Sequence, residues 1–377
     1  MKKAMRVLAF ALAALTLASA AALAEDTVKI GIFEPITGAT ANGGAMETQG
    51  YDIARELFPT ILGLPVEFVV ADSQSDKVVA SNAAAKLVSE GVVAVLGSYG
   101  SGLSMAGDPV FSEAGVPALT ATSTNPMVTQ GEWYARICFI DPFQGTMLAR
   151  YAVENGYKKV AIFQDIEADY AVGLVTYFNN EIKNYPDVTV TSTGNFVSAD
   201  QDFSALLTEA LRNEPDVIFT SVQNGTSAGL IIKQARDLGY TGPIIGGDTL
   251  DDSKMYELAG AAASGVVFST FCDADQPAND LLKSFLDAYH AKYGEDKKPA
   301  APTIMCFDAY LTIKNAIETA GTIEDKAAIR DALFATSGFE GAAGTITLDE
   351  SHNAIRPVVF MQVQDDLSPK FVKMIEP

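Results

Sequence analysis

The chain has 377 residues, with 47 Asp+Glu against 26 Lys+Arg, a net charge of −21, and 48% hydrophobic residues. This length exceeds one ordinary core and predicts two domains. The acidic balance is spread along the chain, which reads as a solubility feature and excludes nucleic acid as a partner.

At the N-terminus, Lys2, Lys3 and Arg6 precede an apolar stretch from Val7 to Leu17, and Ala22-Leu23-Ala24 fits a small-x-small cleavage site before Glu25. Residues 1–24 therefore read as an export signal cleaved after Ala24. Its removal takes away three positive charges, so the net charge of −21 falls by three to −24. A membrane anchor is the competing reading, but the apolar part is shorter than the ~20 residues a span needs. The three cysteines, Cys138, Cys272 and Cys306, are far apart, with no CxxC and only His290 and His352 to help, which argues against zinc. One disulfide in an oxidising compartment stays open.

The expected elements alternate. Strand Val28–Phe33 runs into a Gly/Thr/Asn-rich loop and a helix to about Phe58, then strand Val66–Ala71, helix Lys77–Ser89, strand Val92–Leu96, helix Gly102–Glu113 and strand Val116–Leu119 follow. Short apolar runs without polar alternation suit strands buried on both faces of a parallel sheet, and their alternation with helices predicts βαβ units. The rhythm is lost after Asn125 and restarts at Lys159. Strands then fall at Val160–Phe163, Val188–Ser192, Val217–Thr220, Pro243–Ile245 and Val266–Phe271, with helices Tyr170–Ile182, Phe203–Arg212 and Thr226–Leu238 between them. Two βαβ runs separated by a break predict an α/β protein of two doubly wound lobes, with a first crossing at Asp141-Pro142. Helices Ala278–Tyr293 and Thr303–Thr319 follow, and Ile346–Leu348 and Val358–Val363 read as antiparallel strands joined by a polar turn.

Ligands of open α/β sheets lie beyond the carboxyl ends of the strands, where Gly lets backbone approach and helix N-termini offer free N–H groups. Gly97-Ser98-Tyr99-Gly100-Ser101-Gly102 and Thr120-Ala121-Thr122-Ser123-Thr124-Asn125 are two such loops on neighbouring strands. With hydroxyls at Ser101 and Thr124, they form a cradle for a carboxylate. The competing reading is a pair of tight turns capped by Ser and Thr. A dinucleotide fingerprint is excluded, since the first loop is not GxGxxG. Gly246-Gly247-Asp248 ends another strand, so Asp248 is either a counter-charge for an ammonium or the cap of a helix around Asp252–Leu258. Asp165, Glu167 and Asp169 lack the Gly and Glu of a calcium loop. Gly225-Thr226-Ser227-Ala228-Gly229 matches GxSxG, with Asp248 or Asp251 and His290 or His352 in hydrolase order, but Gln223 and Asn224 separate it from its strand.

Taken together, Val28-Lys29-Ile30-Gly31-Ile32 with Thr37-Gly38, Asp72, Leu96-Gly97, Ser101, Thr122-Ser123-Thr124-Asn125-Pro126, Asp169-Tyr170, Gln234-Ala235-Arg236, Gly246-Gly247-Asp248 and Phe307-Asp308-Ala309 carry a resemblance. In order and spacing the chain resembles the periplasmic substrate-binding proteins of branched-chain amino acid ABC transporters, of the leucine/isoleucine/valine-binding type, over essentially its whole mature length. The resemblance implies a type I binding-protein fold with three crossings: lobe 1 from 25–141 and 271–350, lobe 2 from 142–270 and 351–377. It implies a periplasmic, non-catalytic, monomeric protein without cofactor. Such a protein closes on a small amino acid or related carboxylate and delivers it to an inner-membrane ABC permease; a sensor signalling to a receptor is the alternative. The family's carboxylate ligands fall on Ser101 and Thr124, with backbone help from Thr122, and its ammonium ligands on Asp248 and Tyr170. Its pocket aromatics fall on Gly43 and near Asn224-Gly225, an aliphatic wall becomes Tyr99, Phe307 keeps an aromatic wall, and its disulfide cysteines fall on Ser75 and Gly100. The amino-acid clamp is thus retained while the side-chain pocket differs, and leucine is not expected to be the best ligand.

Overall fold

The structure is a computed structural model that describes residues 27–274 and 279–377. The export signal and the expected helix start at Ala278 lie outside the described residues.

The first sheet is six-stranded, in the order β2-β3-β1-β4-β5-β6. Its centre is β1 (Val28–Glu34), paired in parallel with β3 (Leu64–Asp72) and β4 (Ala94–Gly97). Next come β5 (Ala118–Thr120) and β6 (Tyr134–Arg136), also parallel, and β2 (Thr60–Ile61) caps the other edge antiparallel. Helices α1 (Ala41–Leu57), α2 (Lys77–Ser89) and α3 (Ser101–Ala114) connect these strands. The strands are apolar because helices cover both faces. The β1 side chains Ile30, Ile32 and Phe33 are buried.

The second sheet is seven-stranded, in the order β15-β14-β11-β10-β9-β7-β8. Strands β7 (Lys159–Asp165), β8 (Thr189–Phe196), β9 (Val217–Ser221), β10 (Ile244–Gly246) and β11 (Val267–Thr270) are parallel. Helices α4 (Asp141–Glu154), α5 (Asp169–Ile182), α6 (Ser204–Leu211) and α7 (Gly225–Asp237) serve this sheet, and α8 (Ser253–Ala259) packs on α7. After β11 the chain returns to the first sheet, where α10 (Ala301–Ala320), fully buried along most of its length, packs on α1. Helices α9 (Asp280–Tyr293) and α11 (Lys326–Phe334) flank α10. The tail then rejoins the second sheet as β14 (Val358–Val363) and β15 (Pro369–Ile375). Sheet membership, with the packing of α10 on α1, therefore gives three crossings. Phe139 and Phe271, on two of them, pack as a tilted ring pair with centroids 4.8 Å apart.

Two expectations need correction. The stretch after Asn125 is not irregular: it holds β6 and α4, and Asp141-Pro142 begins that helix, because proline in a first turn loses no hydrogen bond. The strand near Ile346 does not pair with Val358–Val363. Strand β13 (Gly344–Ile346) forms its own hairpin with β12 (Phe339–Gly341), and β14 lies between β11 and β15. The hairpin is anchored by Asp308 of α10, which accepts from the Ala342 and Ala343 N–H groups at 2.5 and 2.8 Å.

Candidate functional site

On the first sheet, β4 runs into α3 through Gly97 and Gly100, whose φ values of 118° and 95° lie where L side chains are strained. Ser101 thus opens the helix, and its Oγ accepts the Asn125 N–H at 3.1 Å, tying the two loops together. In the loop after β5, the Thr120 hydroxyl accepts the Ser123 N–H at 3.1 Å and the Asn125 side chain accepts the Met127 N–H at 3.0 Å. Thr124 is fully buried and its hydroxyl has no partner. A buried hydroxyl without a partner is costly unless something else takes its hydrogen.

The cradle rests on buried acids that sequence reasoning missed. Glu34, at the end of β1, accepts the Tyr99 N–H at 2.8 Å. Glu47 of α1 accepts the Thr122 hydroxyl, and Tyr51 donates to both glutamates at 3.3 and 3.4 Å. Burial pushes both carboxyls up, and for Glu34 the neighbouring Glu47 adds to the rise. Beneath the second loop, buried Arg136 donates to the Ser123 carbonyl at 2.7 Å. Glu34 ends an apolar strand, the same signal that singled out Asp248; Glu47 sits mid-helix and leaves none.

On the second sheet, β10 ends at Gly246, and Gly247 is required because a Cβ there would strike the Tyr170 hydroxyl. The Asp248 Oδ1 accepts from Gln144 Nε2 at 2.6 Å and from the Tyr170 hydroxyl at 2.8 Å. Asp248 does not cap the following helix; Asp252 does, accepting the Lys254 N–H at 2.7 Å. Burial raises Asp248 to about 6, while Gln144 and Tyr170 pull it down. Burial likewise raises Asp251 and Asp252 to about 6. Asp248 is thus a buried carboxyl that faces the space between the sheets, and its charge favours a cation there.

Tyr99, Ser101, Thr122, Tyr170 and Asp248 line one small cavity, together with Gly100, Gln223 and Thr249. Sequence reasoning took Gln223 only as a spacer. The Tyr99 ring lies where a Cβ on Gly43 would be, and its hydroxyl donates to the Gln223 carbonyl at 3.2 Å, reaching across the lobes. Two further contacts cross the cleft: Lys77 to Asp169 at 2.5 Å and Asn42 Nδ2 to Asp252 at 2.5 Å.

Two expected wall residues lie elsewhere. Phe307 packs in the core against Phe285 and Phe58, at 5.2 and 6.2 Å between centroids, because α10 turns that face towards α1 and α9. Asn224 is the cap of α7, its side chain accepting the Ser227 N–H at 2.9 Å. The same cap places Ser227 of the GxSxG match inside a helix turn, buried, not at a strand's end. Asp165 is engaged by the Ser198 hydroxyl and the Glu167 N–H. Cys138, Cys272 and Cys306 are all free thiols.

The family model described as "Periplasmic binding protein" matches residues 27–367. A Leu/Ile/Val-binding protein homolog of Brucella melitensis is 31% identical over 344 residues, covering 89% of this chain and 91% of its own. The solved structure of a leucine binding protein, LivK, from Thermotoga maritima is 40% identical with a TM-score of 0.87, over 93% of this chain and 99% of that one. The branched-chain amino acid transporter substrate binding protein LivJ of Streptococcus pneumoniae, solved with isoleucine, is 29% identical with a TM-score of 0.86, over 93% and 100%. The two doubly wound sheets and three crossings are those of the type I binding-protein fold. The chain belongs to the periplasmic binding protein family: it is a two-lobed solute-binding protein and not an enzyme.

Proposed function

We propose that this protein captures an amino acid as its zwitterion, closing its lobes on it in the periplasm and presenting it to an inner-membrane ABC permease. In this reading Ser101, Thr124 and the Thr122 backbone hold the carboxylate, and Asp248 with Tyr170 holds the ammonium. The observation that carries it is the opposition of hydroxyls from one sheet and a buried aspartate from the other across one small cavity. Closure forms the site from both halves, so only a bound ligand with both charges stabilises the closed form fully. The lobes divide at 141/142, 270/271 and 350/351, the mature chain begins after Ala24 as a monomer, and no cofactor takes part. The related proteins named for leucine, isoleucine and valine support an amino-acid ligand. The Tyr99 ring against Gly43 supports a side chain other than leucine's.

A thermal-shift screen of the amino acids and small carboxylates tests this. A ligand at 100 times its dissociation constant adds about 2.7 kcal/mol of stability. At least one α-amino acid should raise the melting temperature; a response to carboxylates lacking an amino group, and to none of the amino acids, would defeat the reading.

A further inference from the structure

Asp141 has no role in the clamp as described, yet it is the most exceptional polar group beside it. It opens α4 at the first crossing, is fully buried, and neither of its carboxyl oxygens has a hydrogen-bond partner. Its N–H donates to the Thr124 carbonyl at 2.9 Å, so the two residues are held side by side. The Thr124 hydroxyl, also without a partner, is close enough to pull the Asp141 carboxyl down, whereas burial and the nearby Asp248 push it up, to about 8. Among the described residues, Arg136 on β6 is the cation that acts on Asp141, and Tyr170 of α5 and Cys138 are titratable groups that sense it.

Counting hydrogens decides what Asp141 does. A threonine hydroxyl has one hydrogen and two lone pairs. If an ionised Asp141 and a ligand carboxylate both faced Thr124, two anions would compete for that one hydrogen in a dry site. A protonated Asp141 removes the conflict, because it donates to the oxygen and leaves the hydroxyl's hydrogen for the ligand. Resting on the zwitterion clamp above, we propose that Asp141 is a positioning residue that stays protonated while ligand is bound and turns the Thr124 hydroxyl towards the ligand carboxylate. The proton either is already on Asp141 or comes from solvent; none is exchanged with the ligand.

The test is calorimetric titration of the full protein with L-alanine and with L-leucine, at pH 7 and pH 9, in buffers of different ionisation enthalpy. The wild type should take up close to one proton per ligand more at pH 9 than Asp141→Asn does, and its affinity should fall with pH relative to that variant. Asp141→Asn keeps a donor for Thr124, so at pH 7 it should bind within about threefold of wild type and melt close to it. Asp141→Ala supplies no donor and should bind about tenfold more weakly at pH 7. A hundredfold loss in Asp141→Asn with no proton uptake in the wild type would make Asp141 an ionised counter-charge for the ammonium and overturn the proposal. Equal proton uptake by both proteins would overturn it too. Failure of the wild type to bind these two or any other α-amino acid would instead overturn the clamp on which it rests.

Discussion

The two halves of the cleft solve opposite electrostatic problems with the same sheet-edge geometry. On the first sheet the residues that face the cavity, Tyr99, Gly100, Ser101 and Thr122, carry no charge, and the charges lie beneath them: Glu34 holds the Tyr99 N–H, Glu47 the Thr122 hydroxyl, Arg136 the Ser123 carbonyl. On the second sheet the charge itself faces the cavity, and neutral Gln144 and Tyr170 hold it in place. The first half is a built set of dipoles and the second a fixed charge. Changes to the second half should therefore cost more, because an unpaired buried charge is dearer than an unmade neutral hydrogen bond.

The largest expected effect tests that contrast directly. Asp248→Asn nearly preserves shape and removes the charge, and loss of one partner of a buried pair costs about 3–5 kcal/mol. Amino-acid binding should weaken by at least a hundredfold, measured by calorimetry, while the empty protein melts within a few degrees of wild type. On the hydroxyl side, Thr124→Val or the ligand's amide should lose about 1.5–3 kcal/mol for the charge-assisted bond removed. Equal losses in the two halves would erase the distinction drawn between them.

A smaller effect concerns the empty protein. Asp248, Asp251 and Asp252 are raised to about 6 and Asp141 to about 8, against an unfolded value of about 3.9. Between those values the folded state binds more protons than the unfolded one, so stability falls as pH rises, by about 1.4 kcal/mol per group per unit. Ligand-free protein should melt higher at pH 5 than at pH 8. A zwitterionic ligand should narrow this gap, since its ammonium favours ionised Asp248. Melting curves at both pH values, with and without ligand, check the sign.

Enlarging the cavity by Tyr99→Ala should favour aliphatic ligands over alanine by up to about 0.8 kcal/mol for each CH₂ newly buried. Least of all, Lys77→Ala removes a half-exposed ion pair with Asp169 across the cleft mouth, worth about 0–1 kcal/mol, and affinity should change by less than about fivefold.

Much of the fold was legible because its strands are apolar and its helices alternate with them; helix Lys77–Ser89 is found with the boundaries its pattern predicts. Helix α4 was missed because Asp141-Pro142 reads equally as a turn and as a helix start, and the tail pairings were missed because strand partners are set by tertiary order, not by local pattern. In the site, Ser101, Thr122 and Asp248 come together as the strand ends suggested, and Tyr170 joins them as the resemblance implied. Phe307 and Asn224 did not, since an aromatic on a helix and an Asn before one carry no sign of which face they turn. Glu47 and Asp141 were illegible for a different reason: an acidic residue in a helix is usually solvated, and only packing reveals it as buried.

The central claim is that one cavity recognises both charges of one molecule. Calorimetric titration of the wild type with the amino acid that responds best in the screen, its amide, and the matching acid without the amino group tests this most directly. The account predicts that only the zwitterion binds tightly, with each of the other two at least tenfold weaker and the deaminated acid weakest. Binding of the deaminated acid or of the amide as tight as that of the amino acid would contradict it.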